Sequence, residues 1–260
     1  MQRKFGLVCD VCEGTEAVSL ELFKKYGFVT FFSNLYDLES AVRLRKKADE
    51  LGLEFEFIHG PFKGINGMWE SEETPEIYKE LIKSIDTASA VGVKMVIVHV
   101  SSGWNPPKIN DLGLSRYDAL VEYAKEKGVV LAFENLRKLG NLACLMERYE
   151  NCENVGFCYD CGHEHCYTVT IPFANLFGEK FLCTHLHDNF GLPNKGADGD
   201  LHLLPFDGDI DYKTMMEKLE AIDYRGSLML EVVLKDYPNL TAEEFVKTAY
   251  ERVKKLSEID

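Results

Sequence analysis

"VGFCYDCGHEHC", residues 155–166, holds three cysteines, two histidines and an aspartate, and the way it is read decides the fold. Taken as Cys158-x-x-Cys161 followed by His163, His165 and Cys166, it has the spacing of a structural zinc knuckle or of a redox pair. Taken as an apolar run ending on Asp160, it is a buried strand that turns at Gly162. A knuckle requires its cysteines to converge on one point. Strand side chains alternate, so a strand over 155–160 sends Cys158 and Asp160 inward and leaves Cys161 at the turn. On this reading Cys158 is a small buried thiol, and Asp160 and His163 aim together at whatever lies beyond the strand end.

The rest of the chain favours the strand. Similar runs occur at "FGLVCD" (5–10), "FVTFFS" (28–33), "LEFEFIH" (53–59), "VKMVIVHV" (93–100), "VVLAFEN" (129–135), "FLCTHLHD" (181–188) and "SLMLEVV" (227–233). Helical patterns fill the gaps. Thr74 reads as an N-cap with Pro75 at the first helical position, and Ile77, Leu81, Ile82, Ile85 and Ala88 form one apolar stripe over 75–91. Further helices read over 115–127 and 141–150, and "TAEEF" at 241–245 is a capping box between Thr241 and Glu244. Strands alternating with helices predict a parallel sheet. Eight such units with no linker or low-complexity segment predict one α/β domain over 1–260, a single (β/α)8 TIM barrel. An open doubly wound sheet is the alternative, but no glycine-rich phosphate fingerprint follows the first strand.

Composition narrows the function. The chain is 46% hydrophobic and 28% charged, which suits a globular core. Its net charge of −14 argues against nucleic acid as a partner, since gripping a phosphate backbone needs a basic face. The basic cluster "RLRKK" (43–47) reads as the solvated side of an amphipathic helix. No run reaches the ~20 apolar residues of a membrane span. The N-terminus lacks the shape of a signal peptide, and the eight cysteines read as reduced thiols, so a cytoplasmic location is expected. Cys9-x-x-Cys12 resembles a redox pair in spacing only.

All seven histidines fall at or beyond the C-terminal ends of the expected strands: His59, His99, His163, His165, His185, His187 and His202. Glu134, Asp160 and Glu231 occupy equivalent places. In a barrel these ends meet on the face where active sites are built. Any one of these histidines alone would read as a hydrogen-bonded rim residue, and His165 still does. As a set, imidazoles and carboxylates point to a divalent metal site, with Zn²⁺, Mn²⁺ or Fe²⁺ suited to the nitrogen donors.

These segments together resemble the xylose isomerase-like TIM-barrel superfamily, which includes sugar isomerases and epimerases, inosose dehydratase-type enzymes and endonuclease IV. The marks are "FIHGPF" (57–62), "VIVHVSSG" (96–103), "AFENL" (132–136), "CYDCGH" (158–163), "HLHDN" (185–189), "DLHLLPFDGDIDY" (200–212) and "YRGSLMLEV" (224–232). The resemblance implies that Glu134, Asp160, His185 and Glu231 hold one Zn²⁺ or Mn²⁺ ion. His185 is preferred to His187 because "HLHD" fits a His-x-x-acid pattern with Asp188 as the acid. Endonuclease IV uses a larger set, whose extra positions match His59, His99, His163, Asp200 and His202, so two or three ions are the alternative. One departure bears on His202: Phe206-Asp207 stands where a Pro-Gly turn is common, which suggests a differently shaped loop.

By this resemblance the expected activity is isomerisation or epimerisation of a small sugar or sugar phosphate. A divalent metal would stabilise an enediolate, with Glu134 and Glu231 as general base and acid and His163 polarising the carbonyl. Trp69 and Trp104, in expected top-face loops, either stack on the sugar or merely cover the barrel mouth. Lys63 and Arg137 either hold a phosphate or are solvated loop cations. The alternative activity is that of a multinuclear zinc phosphodiesterase resembling endonuclease IV, and a non-catalytic sugar- or metal-binding barrel is a third reading.

Overall fold

The apolar runs form eight short parallel strands: β1 (Phe5–Val8), β2 (Thr30–Ser33), β3 (Glu54–His59), β4 (Met95–Val98), β5 (Val130–Glu134), β6 (Val155–Asp160), β7 (Phe181–His185) and β8 (Leu228–Leu230). A computed structural model describes residues 3–10, 16–70, 73–192 and 199–259, with the side chains of 16–18 left aside. The redox-pair spacing at Cys9-x-x-Cys12 ends on a residue outside that range. Neighbouring strands pair in sequence order from β1 to β7, and β8 pairs with β1. Leu186 closes the circle: its amide donates to the Met229 carbonyl at 2.8 Å, and its carbonyl accepts from the Glu231 amide at 3.0 Å. The fold is a single (β/α)8 TIM barrel.

The outer layer is α1 (Glu16–Tyr26), α2 (Leu38–Leu51), the short α3 (Gly67–Glu70), α4 (Glu76–Ala90), α5 (Asp111–Glu126), α6 (Leu139–Arg148), α7 (Cys161–Tyr167), α8 (Phe173–Phe177), α9 (Tyr212–Ala221) and α10 (Ala242–Ser257). Ile77, Leu81, Ile85 and Ala88 of α4 are buried against the sheet, as expected of an apolar stripe with helical spacing. The expected capping box is present at Thr241 and Glu244. Thr74 is not the cap of α4; that place belongs to Pro75, with extended backbone and no side-chain bond. α5 begins earlier than its apolar pattern because Asn110 caps it, accepting from the Gly113 amide at 2.9 Å.

Inside the barrel, β2 and β3 shift register between Phe31 and Phe32, so that Phe31 pairs with Phe55 and Phe32 with Phe57. The extra residue, Glu56, accepts hydrogen bonds from the Thr30 and Ser227 hydroxyls, each 2.8 Å long. Above it Phe32 and Phe57 stack, and His185 lies on Phe32 at a ring separation of 4.9 Å. This aromatic layer is the floor of the polar site. Among the described residues no helix is long and apolar enough to cross a membrane.

Candidate active site

Strands β3 to β8 each deliver a polar side chain at the same end of the barrel. Glu134, the last residue of β5, is the hub. Its Oε2 lies 2.8 Å from His99 Nε2 and 3.4 Å from His59 Nε2. Its Oε1 lies 3.0 Å from His185 Nδ1 and 3.6 Å from His163 Nδ1. His185 Nδ1 is also 3.3 Å from Glu231 Oε2. Barrel closure explains that last contact, because Leu186 pairs with both Met229 and Glu231 across the β7–β8 seam. Glu134, Asp160, His185 and Glu231 offer ligand atoms that all lie within 4.8 Å of one another. A second group with this property is His59, Glu134 and His185, and a third is His187, Asp200 and His202.

The opening stretch resolves in favour of the strand. Cys158 and Asp160 point inward. Cys158 meets Cys183 one layer below the site, and burial first, then that neighbour, pushes its thiol well above the ordinary range. Cys161 opens α7 instead of occupying a simple turn; its thiol points to the His187 carbonyl at 3.4 Å. Asp160 caps α7 by accepting the His163 amide at 2.6 Å. Asn135, to which no role was given from sequence, clamps β5 to β6: its side chain donates to the Asp160 carbonyl and accepts from the Asp160 amide, both at 2.8 Å. Its own carbonyl faces His163 Nδ1 at 2.9 Å. His163 Nε2 then meets Asp200 Oδ2 at 3.1 Å, while His165 turns away to Asp209 at 2.8 Å.

The carboxylates differ in their hold on a proton. Burial raises the pKa of Glu134, but His185 and His99 outweigh it and bring the group well below its ordinary value. For Glu231, burial is joined by the negative charges of Glu134 and Asp160, and the carboxyl goes well above its ordinary range. His163 is raised despite burial because Asp160 and Asp200 flank it. His202 is lowered to about 4 by burial and by His187.

The donor set fits a divalent cation. Three carboxylates converge where burial and their mutual repulsion raise the pKa of Glu231, and a cation relieves such repulsion directly. The buried atoms without a hydrogen-bond partner among the described residues include His185 Nε2 and Asp200 Oδ1 of this site, and unpaired buried polar atoms need an account. Mixed imidazole and carboxylate donors suit Zn²⁺ or Mn²⁺.

A family profile described as xylose isomerase-like TIM barrel matches residues 14–255. The chain belongs to the xylose isomerase-like TIM barrel family. It is 31% identical to the uncharacterized protein y4fM of Sinorhizobium fredii over 65% of this chain and 56% of that one. It is 26% identical to the inosose isomerase of Bacillus subtilis over 67% of this chain and 66% of that one. The chain thus spans little more than half the length of the first relative and about two thirds of the second. Among solved structures, the IOLI protein with a binding zinc atom superposes with a TM-score of 0.76 at 20% identity, covering 98% of both chains. The D-allulose 3-epimerase of Methylomonas sp. in complex with D-allulose superposes at 0.72 with 17% identity and 98% coverage of each.

In this xylose isomerase-like barrel the two tryptophans have different fates. Trp69 is a packed core residue of α3: it is 2% exposed, donates Nε1–H to the Val100 carbonyl at 2.8 Å, and lies against Gly113. Trp104 is 43% exposed at the rim, set edge-on to Tyr167, with the Lys138 ammonium 5.4 Å from its ring centre. Arg137 stacks on Tyr167 and donates to its hydroxyl at 2.8 Å, and Lys63 is exposed in the loop after β3. Phe62, given no individual role from sequence, covers His99 at a ring separation of 4.8 Å while 53% exposed. Its signal was an aromatic residue three positions past His59. The departure at Phe206 is structural too: its φ is 73°, the left-handed region that favours glycine. His202 nonetheless reaches the rim of the site, its Nδ1 2.8 Å from the Glu231 carbonyl and its ring stacked on His187 at 4.0 Å.

Proposed function

We propose that the chain is a divalent-metal-dependent isomerase or epimerase of a small sugar or sugar phosphate. One observation carries this reading: Glu134 and Glu231 flank the same nitrogen of His185 and are pushed in opposite directions as acids. Two carboxyl groups whose environments drive their pKa values apart are suited to act as base and acid in one reaction. A divalent cation held by Glu134, Asp160, His185 and Glu231 would polarise adjacent substrate oxygens. One glutamate removes the proton from the carbon beside the carbonyl and the other delivers a proton to complete the product. His163, fixed between the Asn135 carbonyl and Asp200, would face the substrate carbonyl. Trp104 would offer its ring to the sugar, and Arg137 and Lys63 would meet a phosphate. The inosose isomerase and epimerase relatives support this substrate class.

The test is solvent exchange. Metal-loaded protein is incubated in D₂O with ketoses, inososes and their phosphates, and deuterium at the carbon next to the carbonyl is read by NMR. Incorporation that depends on added Mn²⁺ or Zn²⁺ is expected; its absence from every candidate removes the proposal. The third ligand group, His187, Asp200 and His202, favours one second reading, a multinuclear zinc phosphodiesterase. Cleavage of an abasic-site duplex by zinc-loaded protein would support that reading in place of the first.

A further inference from the structure

His187 has no partner role in the proton transfer, yet it is among the most enclosed side chains of the site, at 0% exposure. Its Nε2 lies 3.1 and 3.2 Å from the two carboxylate oxygens of Asp160. Its Nδ1 lies 3.1 Å from the Leu201 carbonyl. One face of the ring stacks on His202 at 9° between planes. The ring also lies against Gly162, where a Cβ would come within 2.0 Å of Cε1. The backbone of His187 is held as well, since its carbonyl accepts from the Tyr212 hydroxyl at 3.2 Å.

We infer that His187 is a positioning residue that ties Asp160 to the 200–202 segment and is not itself a metal ligand. The inference rests on the reading above that Asp160 holds the cation. Although His187, Asp200 and His202 lie close enough to be considered together as ligands, both ring nitrogens of His187 already face oxygen atoms. The Asp200 oxygen is farther off, at 3.9 Å from Nε2. The Leu201 peptide it grips stands between Asp200 and His202, so one imidazole sets the carboxylate of β6 and the placement of both rim residues. A group that orients a ligand through a hydrogen bond typically affects metal affinity 10–100-fold. Gly162 in "DCGH" is then explained as the seat of this ring.

The test uses the full chain and Co²⁺ as probe, with affinity read from visible absorption and backbone deuterium uptake of residues 200–204 read by mass spectrometry. His187→Phe keeps an aromatic ring over Gly162 and removes both hydrogen bonds. It is expected to weaken Co²⁺ binding by roughly 10–100-fold and to speed exchange at 200–204 in metal-free and loaded protein alike. His187→Gln, which retains a donor for Asp160, is expected to recover part of the affinity but not the slow exchange, and it carries the comparison if the Phe variant does not fold. Unchanged affinity and exchange would overturn the inference. So would wild-type exchange in the metal-free variant combined with an altered Co²⁺ spectrum, the signature of a lost ligand. Wild-type protein that binds no Co²⁺ would count against the proposed function instead, and exchange in the metal-free variant would still decide whether His187 tethers the segment.

Discussion

Glu134 and Glu231 approach one imidazole nitrogen from two strands that are not neighbours: His185 Nδ1 is 3.0 Å from the first and 3.3 Å from the second. The chain brings them together by closing the barrel at Leu186, since the Glu231 amide bonds the carbonyl of the residue after His185. Glu134 also faces His99 and His59, which hold its pKa down, whereas burial and the charges of Glu134 and Asp160 raise that of Glu231. The two glutamates are therefore unequal, and their variants should behave unequally.

Glu134→Gln and Glu231→Gln should each lower solvent-deuterium exchange of substrate by roughly 10²–10⁴-fold, the usual worth of a positioned acid or base. Glu134→Gln should also weaken the metal more, because it takes the central anion from four imidazoles. Measuring exchange rate and metal content in the same samples checks both statements. Full exchange in either variant would remove that glutamate from the chemistry.

The two tryptophans differ in burial, and their variants should differ accordingly. Trp69→Ala opens a cavity in a closed part of the core and loses a buried hydrogen bond, so it should cost about 3–5 kcal/mol. Gly113→Ala would place a Cβ 2.0 Å from the same indole and should cost about 1–3 kcal/mol by overpacking. Trp104→Ala, at the exposed rim, should leave stability within about 0.5 kcal/mol and raise KM. Urea unfolding and steady-state kinetics on the three variants give the comparison, and a Trp69→Ala protein of native stability would contradict its placement.

That contrast marks what the sequence could show. Strand count, order and the convergence of the polar strand ends were legible because each run is short and apolar, and those of β3 to β8 end on or beside a titratable residue. Trp69 was not, because an indole in a loop can stack on a ligand or fill a gap, and its partner Gly113 lies two helices further on, in α5. α7 was missed because "CGHEHCY" has no apolar helical stripe; the helix exists because Asp160 caps it. Asn135 was hidden for another reason: its contacts are to the backbone of β6, and backbone partners leave no trace in side-chain pattern. The unusual Phe206 was legible as a departure, but not its support, the Asp188 carboxylate accepting its amide at 2.9 Å.

Glu56 tests the barrel floor. Burial raises its pKa against the lowering effect of the Ser227 and Thr30 hydroxyls. A folded value above the unfolded one means that the neutral carboxyl stabilises the fold fully below the unfolded pKa, about 4.3. That contribution is lost as pH rises through the folded value. Glu56→Gln should therefore be more stable than the parent at pH 7–8, by about 1 kcal/mol, with the difference shrinking toward pH 4. Thermal midpoints of the two proteins across that range decide it; a constant difference would show that charge is not the cause.

Metal binding should release protons. In the metal-free site Glu231 is held well above the ordinary carboxylate range by burial and by Glu134 and Asp160, yet only its ionised form can coordinate a cation. As pH falls below that raised value, a growing share of the protein must lose a proton before it binds, so apparent affinity should fall with pH. Above it the dependence should flatten. Calorimetric titration of Zn²⁺ or Mn²⁺ in buffers of different ionisation enthalpy counts the protons directly. In Glu231→Gln the released proton should be reduced in number, even though binding is weaker. A proton count unchanged by that substitution would place the titrating group elsewhere, at His163 or another imidazole of the site.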